Sequence, residues 1–360
     1  MRRIYHKSQC EQPATWNATP AGLLGLPIER PWLTMGARDS GPWGRRRGRL
    51  EGDVDNAKQI AAQTTAALVG WRLARLRTTL DGPLAVVATG GSLALATLWA
   101  RLHETTGRPA WSLTPADFER RRLPEGARVL FLSASGRHHD ILNAARHGAR
   151  LGARLHAVVY DGTAPLCDVV RAARGDVTIL PAPPPARDLA DTQVAIPTVV
   201  LAGNLYGGFA HGHDVFAVHP TALPPVRPDL VVALGAGLAA PAAYDFAARC
   251  REVGLANTVQ GDRRNAAHGE LSPLDPAKTW LVHCAPVAEV ARLDAYDRVL
   301  PPTLHVTRLL SSIAGIDGAL SLYFQSLVLF RAAAERFGVT PSVSALPDWL
   351  KTLYRQAEEP

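Results

Sequence analysis

The stretch Arg128-Val129-Leu130-Phe131-Leu132-Ser133-Ala134-Ser135-Gly136 decides the fold that we predict for this chain. Its first five residues form an apolar run that is typical of a buried strand, and a helical pattern starts at Asp140. A strand that ends in small hydroxyl residues and a glycine, just before a helix, gathers backbone N–H groups and two hydroxyls around one point. The sequence therefore predicts an α/β fold with an anion-binding loop at residues 133–136.

The same strand–turn–helix pattern occurs again about 145 residues further along the chain. Residues 84–88 lead into Gly90-Gly91-Ser92, and residues 230–234 lead into Gly235-Ala236-Gly237. The apolar run 128–132 corresponds in the same way to 279–283, which precedes Cys284-Ala285-Pro286. Continuous apolar strands that alternate with helices are typical of parallel sheets covered on both faces. We therefore predict an internal duplication, with two doubly wound, mainly parallel sheets of the flavodoxin type flanked by helices.

Stretches rich in proline and glycine indicate where the predicted domains begin and end. Residues 1–54 are rich in Pro, Gly and Trp and form a predicted N-terminal arm, followed by a helical pattern over 56–77. The prolines at 220–228 divide a first domain, 55–222, from a second, 223–345, and residues 346–360 form a C-terminal tail.

Composition excludes several classes of protein. The 360 residues are 47% hydrophobic and 20% charged, which is typical of a globular protein of this size. The net charge of +7 is dispersed, and the basic runs at 45–47 and 120–122 lack interleaved aromatics, so nucleic-acid binding is not expected. Four scattered cysteines without a CxxC pair predict a reducing, cytoplasmic location. The apolar stretch 309–330 is interrupted by Asp317, Gln325 and glycines, which favours a buried helix over a membrane span.

Two motifs leave alternatives open. Gly235-Ala236-Gly237 is close to a dinucleotide fingerprint, but such a turn is also ordinary α/β architecture. No strand that ends in an acid is evident promptly after the next helix, so no nucleotide cofactor is predicted. His211-Gly212-His213-Asp214 has metal-ligating side chains, but a third ligand at a suitable spacing is not evident. A solvated loop is favoured there, and no metal is predicted.

Glu252 closes a predicted helix over 240–251, just before Gly254. The negative end of the helix dipole disfavours a charged carboxylate there, which suits a general base tuned toward neutrality. On an exposed surface the same placement would be harmless. His268-Gly269-Glu270 follows in a predicted loop, where a histidine on its own is usually just solvated.

Together these residues resemble the sugar isomerase (SIS) family, in particular the isomerase domain of glucosamine-6-phosphate synthase and the bifunctional phosphoglucose/phosphomannose isomerases. The resemblance covers roughly residues 56–355. The family's phosphate motif, S-x-S-G-x-T, corresponds to residues 133–138, and its small preceding turn corresponds to Gly90-Gly91-Ser92. The spacing of sixteen residues from Glu252 to His268 matches the family's catalytic glutamate and ring-opening histidine. Lys351 falls in the pattern of its C-terminal lysine.

The resemblance implies an aldose–ketose isomerisation of a hexose or hexosamine 6-phosphate through an enediol, without a cofactor. The implied phosphate ligands are Ser92, Ser133, Ser135, Gly136 and His138. Further substrate contacts are implied at Gly90, Gly91 and Arg249, and catalytic roles at Glu252, His268 and Lys351. In the family the histidine comes from a neighbouring subunit, which implies a homodimer.

Departures from the family pattern keep other functions open. His138 replaces the threonine that completes the phosphate loop, and Arg249 replaces a lysine three residues before the glutamate. An aminosugar-phosphate deaminase or deglycase would use the same loop and base but would release an amine. A non-catalytic phosphosugar sensor would need only the loop, and the retained Glu252, His268 and Lys351 argue against it.

Overall fold

The computed structural model describes residues 62, 80–180, 190–217, 222–266 and 275–339. The predicted N-terminal arm, the predicted C-terminal tail and nearly all of the helix predicted over 56–77 lie outside these residues.

A parallel sheet of five strands forms the first half. Its order is β2-β1-β3-β4-β5, which is the flavodoxin order. The strands are β1 (Leu84–Val87), β2 (Ala110–Leu113), β3 (Arg128–Leu132), β4 (Arg154–Val159) and β5 (Asp176–Ile179). All neighbouring strands are parallel. Strands β1 and β3 are almost wholly buried because helices cover both faces of the sheet.

The helices of this half follow the strands in alternation. They are α1 (Ser92–Glu104), α2 (Pro115–Arg120), α3 (His139–Arg150), α4 (Pro165–Ala172) and α5 (Ala190–Leu205). Thr114 caps α2 by accepting a hydrogen bond from the Asp117 N–H, and proline starts both α2 and α4, where a missing N–H costs nothing.

A second parallel sheet has four strands in the order β7-β6-β8-β9. They are β6 (Leu230–Gly235), β7 (Asn257–Gly261), β8 (Thr279–Pro286) and β9 (His305–Ser311). Its helices are α6 (Ala240–Glu252), α7 (Val290–Asp297) and the long α8 (Gly315–Arg336).

Helix α8 contributes to the cores of both halves. Leu320 and Phe324 pack into the core that also contains Trp99 of α1, whereas Leu329 and Phe330 pack into the core around Trp280 of β8. The helix is buried along most of its length, which explains why its sequence is apolar on every side.

The predicted duplication is confirmed by the sheet topology. β6 pairs with β7 and β8 as β1 pairs with β2 and β3, and the correspondence of 128–132 with 279–283 is that of β3 with β8. The predicted buried helix within 309–330 is also found, although residues 309–311 complete β9. In the described part of the chain, no helix combines the length and apolarity that crossing a bilayer requires.

Candidate functional site

The loop after β3 folds back on its own amides. The Ser133 hydroxyl accepts a hydrogen bond from the Gly136 N–H at 3.1 Å, and the Ser135 hydroxyl accepts one from the Arg137 N–H at 3.3 Å. Gly136 has a φ of +62°, and a β-carbon there would lie 2.7 Å from that of Ala164. Glycine is therefore required at this position, both for the left-handed backbone and for the close packing.

Helix α3 begins directly after this loop and points its N-terminus toward it. His138 occupies the N-cap position, where its Nδ1 accepts a hydrogen bond from the Asp140 N–H at 3.3 Å. A threonine hydroxyl at this position could accept the same hydrogen bond, so the start of α3 keeps a side-chain cap with histidine in its place. The N-terminus of a helix of 12 residues adds a partial positive charge that favours an anion in the loop.

Asp161 braces the loop from the end of β4. The Arg137 guanidinium lies 2.8 Å from its carboxylate. Hydrogen bonds from Thr163, followed by those from Arg137, lower the pKa of Asp161 to about 2. Asp161 is therefore ionised at all ordinary pH values, which keeps the Arg137 charge paired beside the loop.

A small cavity joins the loop to the turn after β1. Ser92, the first residue of α1, lines this cavity together with Ser133, Tyr160 and Thr198. Its volume, measured as space for the centre of a water molecule, is about 10 Å³. Tyr160 and Thr198 form a hydrogen bond, and burial raises the Tyr160 pKa well above its ordinary value. Ser92 and Ser133, predicted from separate motifs, thus lie at one place, and two further hydroxyls join them.

The Glu252 carboxylate lies against the turn that leads into Ser92. A β-carbon added to Gly91 would lie 3.0 Å from each of its oxygens, and one added to Gly90 would lie 3.7 Å from Oε1. Glu252 is the last residue of α6, as predicted, and Gly254 follows with a φ of +67°. The structure therefore brings Glu252, Gly90, Gly91 and Ser92 together, although their motifs are far apart in sequence.

Helix α6 is held in place by a buried polar cluster. Arg249 is 5% exposed and donates from Nε to Asp245 Oδ2 at 2.7 Å, while the Tyr323 hydroxyl donates to Asp245 Oδ1 at 2.6 Å. Tyr323 belongs to α8, so the cluster ties α6 to that helix. Arg249 lies three residues before Glu252 and serves this structural cluster; its role as a substrate contact stays a prediction.

Two predicted catalytic residues cannot be placed. His268 and Lys351 lie outside the described residues, so their roles stay predictions.

The segment 211–214, predicted to be a loop, overlaps a 3₁₀ helix over Gly212–Phe216. His211 Nδ1 lies 2.8 Å from the carboxylate of the buried Asp317. Among the described residues, no group of three His, Cys, Asp or Glu side chains is arranged to hold a metal ion.

One expectation about the second half was wrong. Strand β7 follows α6 after only four residues, and Asp262 comes directly after its last residue, Gly261. The strand escaped notice because Asn-Thr-Val-Gln-Gly is not an apolar run. β7 is an edge strand in which no residue is fully buried, so its sequence does not have to be apolar.

The sequence matches no protein-family model and no curated protein. The fold does match solved structures. Glucosamine-6-phosphate deaminase from Thermotoga maritima gives a TM-score of 0.59 at 13% identity, over 81% of this chain and 96% of that one. Tagatose-6-phosphate ketose/aldose isomerase from Escherichia coli gives 0.53 at 14% identity, over 84% and 95%.

The C-terminal domain of glucosamine-fructose-6-phosphate aminotransferase from Francisella tularensis matches with a TM-score of 0.50 at 14% identity, over 83% of this chain and 99% of that one. Each match covers nearly the whole of the other chain, so both sheets are included. The structural resemblance to the sugar isomerase family that the motifs predicted is thereby confirmed at the level of the fold.

Proposed function

We propose that this chain is a phosphosugar isomerase that interconverts the aldose and ketose forms of a hexose or hexosamine 6-phosphate. One observation carries the proposal: the Glu252 carboxylate lies against Gly90 and Gly91, and the next residue, Ser92, shares a cavity with Ser133. A phosphate held at the loop would extend its sugar carbons toward this carboxylate.

The loop supplies the phosphate contacts. Ser133 and Ser135 accept hydrogen bonds from the loop's own amides, and a bound phosphate would instead accept hydrogen bonds from those amides and from the two hydroxyls. Each such bond to a charged oxygen contributes about 1.5–3 kcal/mol. With the α3 N-terminus behind the loop, several of them hold a phosphorylated sugar without a metal.

Glu252 acts as the base. It removes the proton from C2 of the open-chain aldose, the electron pair forms the C1–C2 double bond of an enediol, and the C1 carbonyl oxygen takes up a proton. Return of the proton from Glu252 to C1 and loss of the O2 proton then give the ketose. A positioned carboxylate accelerates such transfers by about 10²–10⁴. Helix α6 places this group rigidly because the Asp245 cluster fixes the helix from behind.

The remaining roles follow the family resemblance. His268 opens the sugar ring by protonating its ring oxygen, and Lys351 offsets the negative charge of the enediolate. In a homodimer, His268 of one subunit would serve the site of the other.

The test is Glu252→Gln, assayed with hexose and hexosamine 6-phosphates in D₂O. The wild type should exchange the C2 hydrogen and form product, whereas Glu252→Gln should lose at least about 100-fold in both. Glu335→Gln, which changes an exposed glutamate near the end of α8, is the matched control and should keep full activity. Unchanged exchange in Glu252→Gln would exclude this residue as the base.

Deamination of an aminosugar phosphate is the second candidate. The match to the deaminase from Thermotoga maritima supports it, and the same loop and base would serve. Ammonia release from glucosamine 6-phosphate distinguishes it from isomerisation. Binding of phosphosugars without any turnover by the wild type would instead indicate a sensor.

A further inference from the structure

A larger cleft lies at the carboxyl edge of the second sheet. Its volume is about 1020 Å³, which is at the upper end of pockets that hold small organic ligands. The cleft opens where β6 ends at Gly235 and β7 ends at Gly261, and α1 and α7 line its sides. Doubly wound sheets bind their ligands at this edge. None of the described residues that we assign to phosphosugar conversion lines this cleft.

Arginines from three separate elements line the cleft. Arg101 comes from α1, Arg263 and Arg264 from the turn after β7, and Arg292 from α7. Arg101 and Arg263 form ion pairs with Glu104 and Glu289, respectively. Within the described part of the chain, the guanidinium groups of Arg264 and Arg292 have neither an ion pair nor a hydrogen bond.

Asp262 is the one carboxylate among the described lining residues. Its Oδ1 accepts hydrogen bonds from the Arg264 and Asn265 N–H groups at 2.8 and 3.1 Å, and its Oδ2 accepts one from the Asn265 amide at 2.9 Å. The carboxylate is occupied in capping this turn and forms no ion pair with either Arg264 or Arg292. Among the described lining residues, four arginines therefore stand against this one carboxylate, and the cleft carries an excess of positive charge.

Two glycines shape the turn after β6, which lines the same cleft. A β-carbon on Gly235 would lie 2.6 Å from the Ala239 carbonyl oxygen, and Gly237 has a φ of +55° with open space around it. The backbone then passes through a short 3₁₀ turn into α6, so N–H groups at a helix start border the same cleft. This is the position that the first sheet uses for Gly90-Gly91-Ser92.

Two aromatic side chains complete the lining. Tyr244 comes from α6 and Tyr296 from α7. The Tyr296 ring packs edge-on against buried His283, with ring centroids 5.4 Å apart, and His283 in turn lies 3.2 Å from Asp297. Tyr296 is thus fixed from below, and tyrosine rings at a charged cleft are suited to stack on a planar ring.

We propose that this cleft is a second ligand site, which takes an organic phosphate of nucleotide size. Arg264 and Arg292 bind the phosphate groups together with the Gly235–Gly237 turn, and the tyrosines hold the ring. The site is separate from the Ser133 loop, and it does not depend on the isomerase assignment.

The test is calorimetric titration of the full chain with ADP as the probe, alongside pyrophosphate and adenosine. We expect ADP to bind at least about tenfold more tightly than either fragment, because the arginines and the tyrosines each contribute. Arg264→Ala/Arg292→Ala should weaken ADP binding at least about tenfold, since two charged hydrogen-bond donors are lost. Both side chains are exposed, so thermal unfolding should show an intact fold.

Two control variants separate the alternatives. Arg298→Ala removes an exposed charge near the end of α7 that does not line the cleft. Ser135→Ala changes the loop at 133–136 in the first half. Both variants should bind ADP with unchanged affinity. Equal weakening by Arg298→Ala would show attraction by net charge only, and weakening by Ser135→Ala would place ADP in the phosphate loop. The proposal would be overturned if pyrophosphate bound as tightly as ADP, or if the double variant bound ADP with unchanged affinity. It would also be overturned if the double variant dissociated into subunits and its ADP affinity stayed the same.

Discussion

Two neighbouring glycines allow the position of the proposed base to be tested without touching the base. Gly91 has a φ of −59°, so alanine fits its backbone without strain. An alanine β-carbon there would lie 3.0 Å from both Glu252 oxygens, about 0.4 Å closer than the 3.4 Å at which ordinary contact begins. The carboxylate must therefore retreat by a few tenths of an ångström.

The expected loss can be worked out from that displacement. A misplacement of 1 Å costs about 100-fold in rate, so 0.4 Å corresponds to about sixfold in kcat if the loss scales with distance. Stability should not fall, because replacing glycine at a compatible φ restricts the unfolded chain and adds about 0.4–1 kcal/mol. Gly91→Ala should thus be slower and equally or more stable.

Gly90→Ala serves as the control, because it should lower stability while leaving the catalytic rate nearly unchanged. Its φ of +52° makes alanine cost about 1–2 kcal/mol, while its β-carbon would meet Glu252 at an ordinary 3.7 Å. We expect a lower Tm and nearly normal kcat. Steady-state kinetics and thermal unfolding measure both quantities, and Gly91→Ala should cost nothing more in a Glu252→Gln background. Full activity of Gly91→Ala, or a loss that persists in that background, would refute the placement of the base.

Three further predictions concern the loop and the buried polar groups. Ser135→Ala should weaken phosphosugar binding by about 1–2 kcal/mol, or roughly 5- to 30-fold by calorimetry, because it removes a hydroxyl from the anion site; unchanged affinity would remove the loop from the proposal. Burial lowers the pKa of His156 to about 4, so the unfolded chain binds the extra proton between pH 6.5 and 4. The free energy of unfolding should fall by about 1.4 kcal/mol per pH unit as the pH drops through that window. In His156→Gln this dependence on pH, measured by denaturant titration, should be weaker. An unchanged dependence would contradict the prediction. Asp245→Ala should lower the free energy of unfolding by about 3–5 kcal/mol, because it removes the carboxylate that pairs with the buried Arg249 guanidinium. A loss of less than about 1 kcal/mol in chemical denaturation would show that the pair contributes little to stability.

Short-range signals made part of this fold predictable. The apolar run 128–132 is β3 with the same bounds, and α6 ends at Glu252 as the following Gly254 indicated. Buried parallel strands and glycine-terminated helices carry their signal within a few residues. The loop at 133–136 could be located in the same way, because it follows β3 directly.

Long-range contacts could not be predicted in that way. Tyr160 and Thr198 share the cavity of Ser133, yet they lie 27 and 65 residues further along the chain. Only the parallel pairing of β3 with β4 and the packing of α5 bring them there. The contact of Glu252 with Gly91 depends likewise on how α6 packs against α1, which no local pattern specifies.

The cleft of the second half went unnoticed for a related reason. Arg101, Arg264 and Arg292 come from three separate elements that are far apart in sequence, so no basic run marks the cleft. The glycine turn at 235–237 is a local signal, but such a turn is also ordinary α/β architecture, and no following strand that ends in an acid is evident from the sequence.

Helix α8 has a consequence for the history of this duplicated chain. Because one helix supplies side chains to the cores on both sides, neither half is complete without it. Loss of the chain from residue 315 onward would remove apolar side chains from both cores at once, so we expect the two halves to fold together. The turns and ligand contacts at the two carboxyl edges can therefore diverge, while the shared helix keeps the two halves in one folding unit.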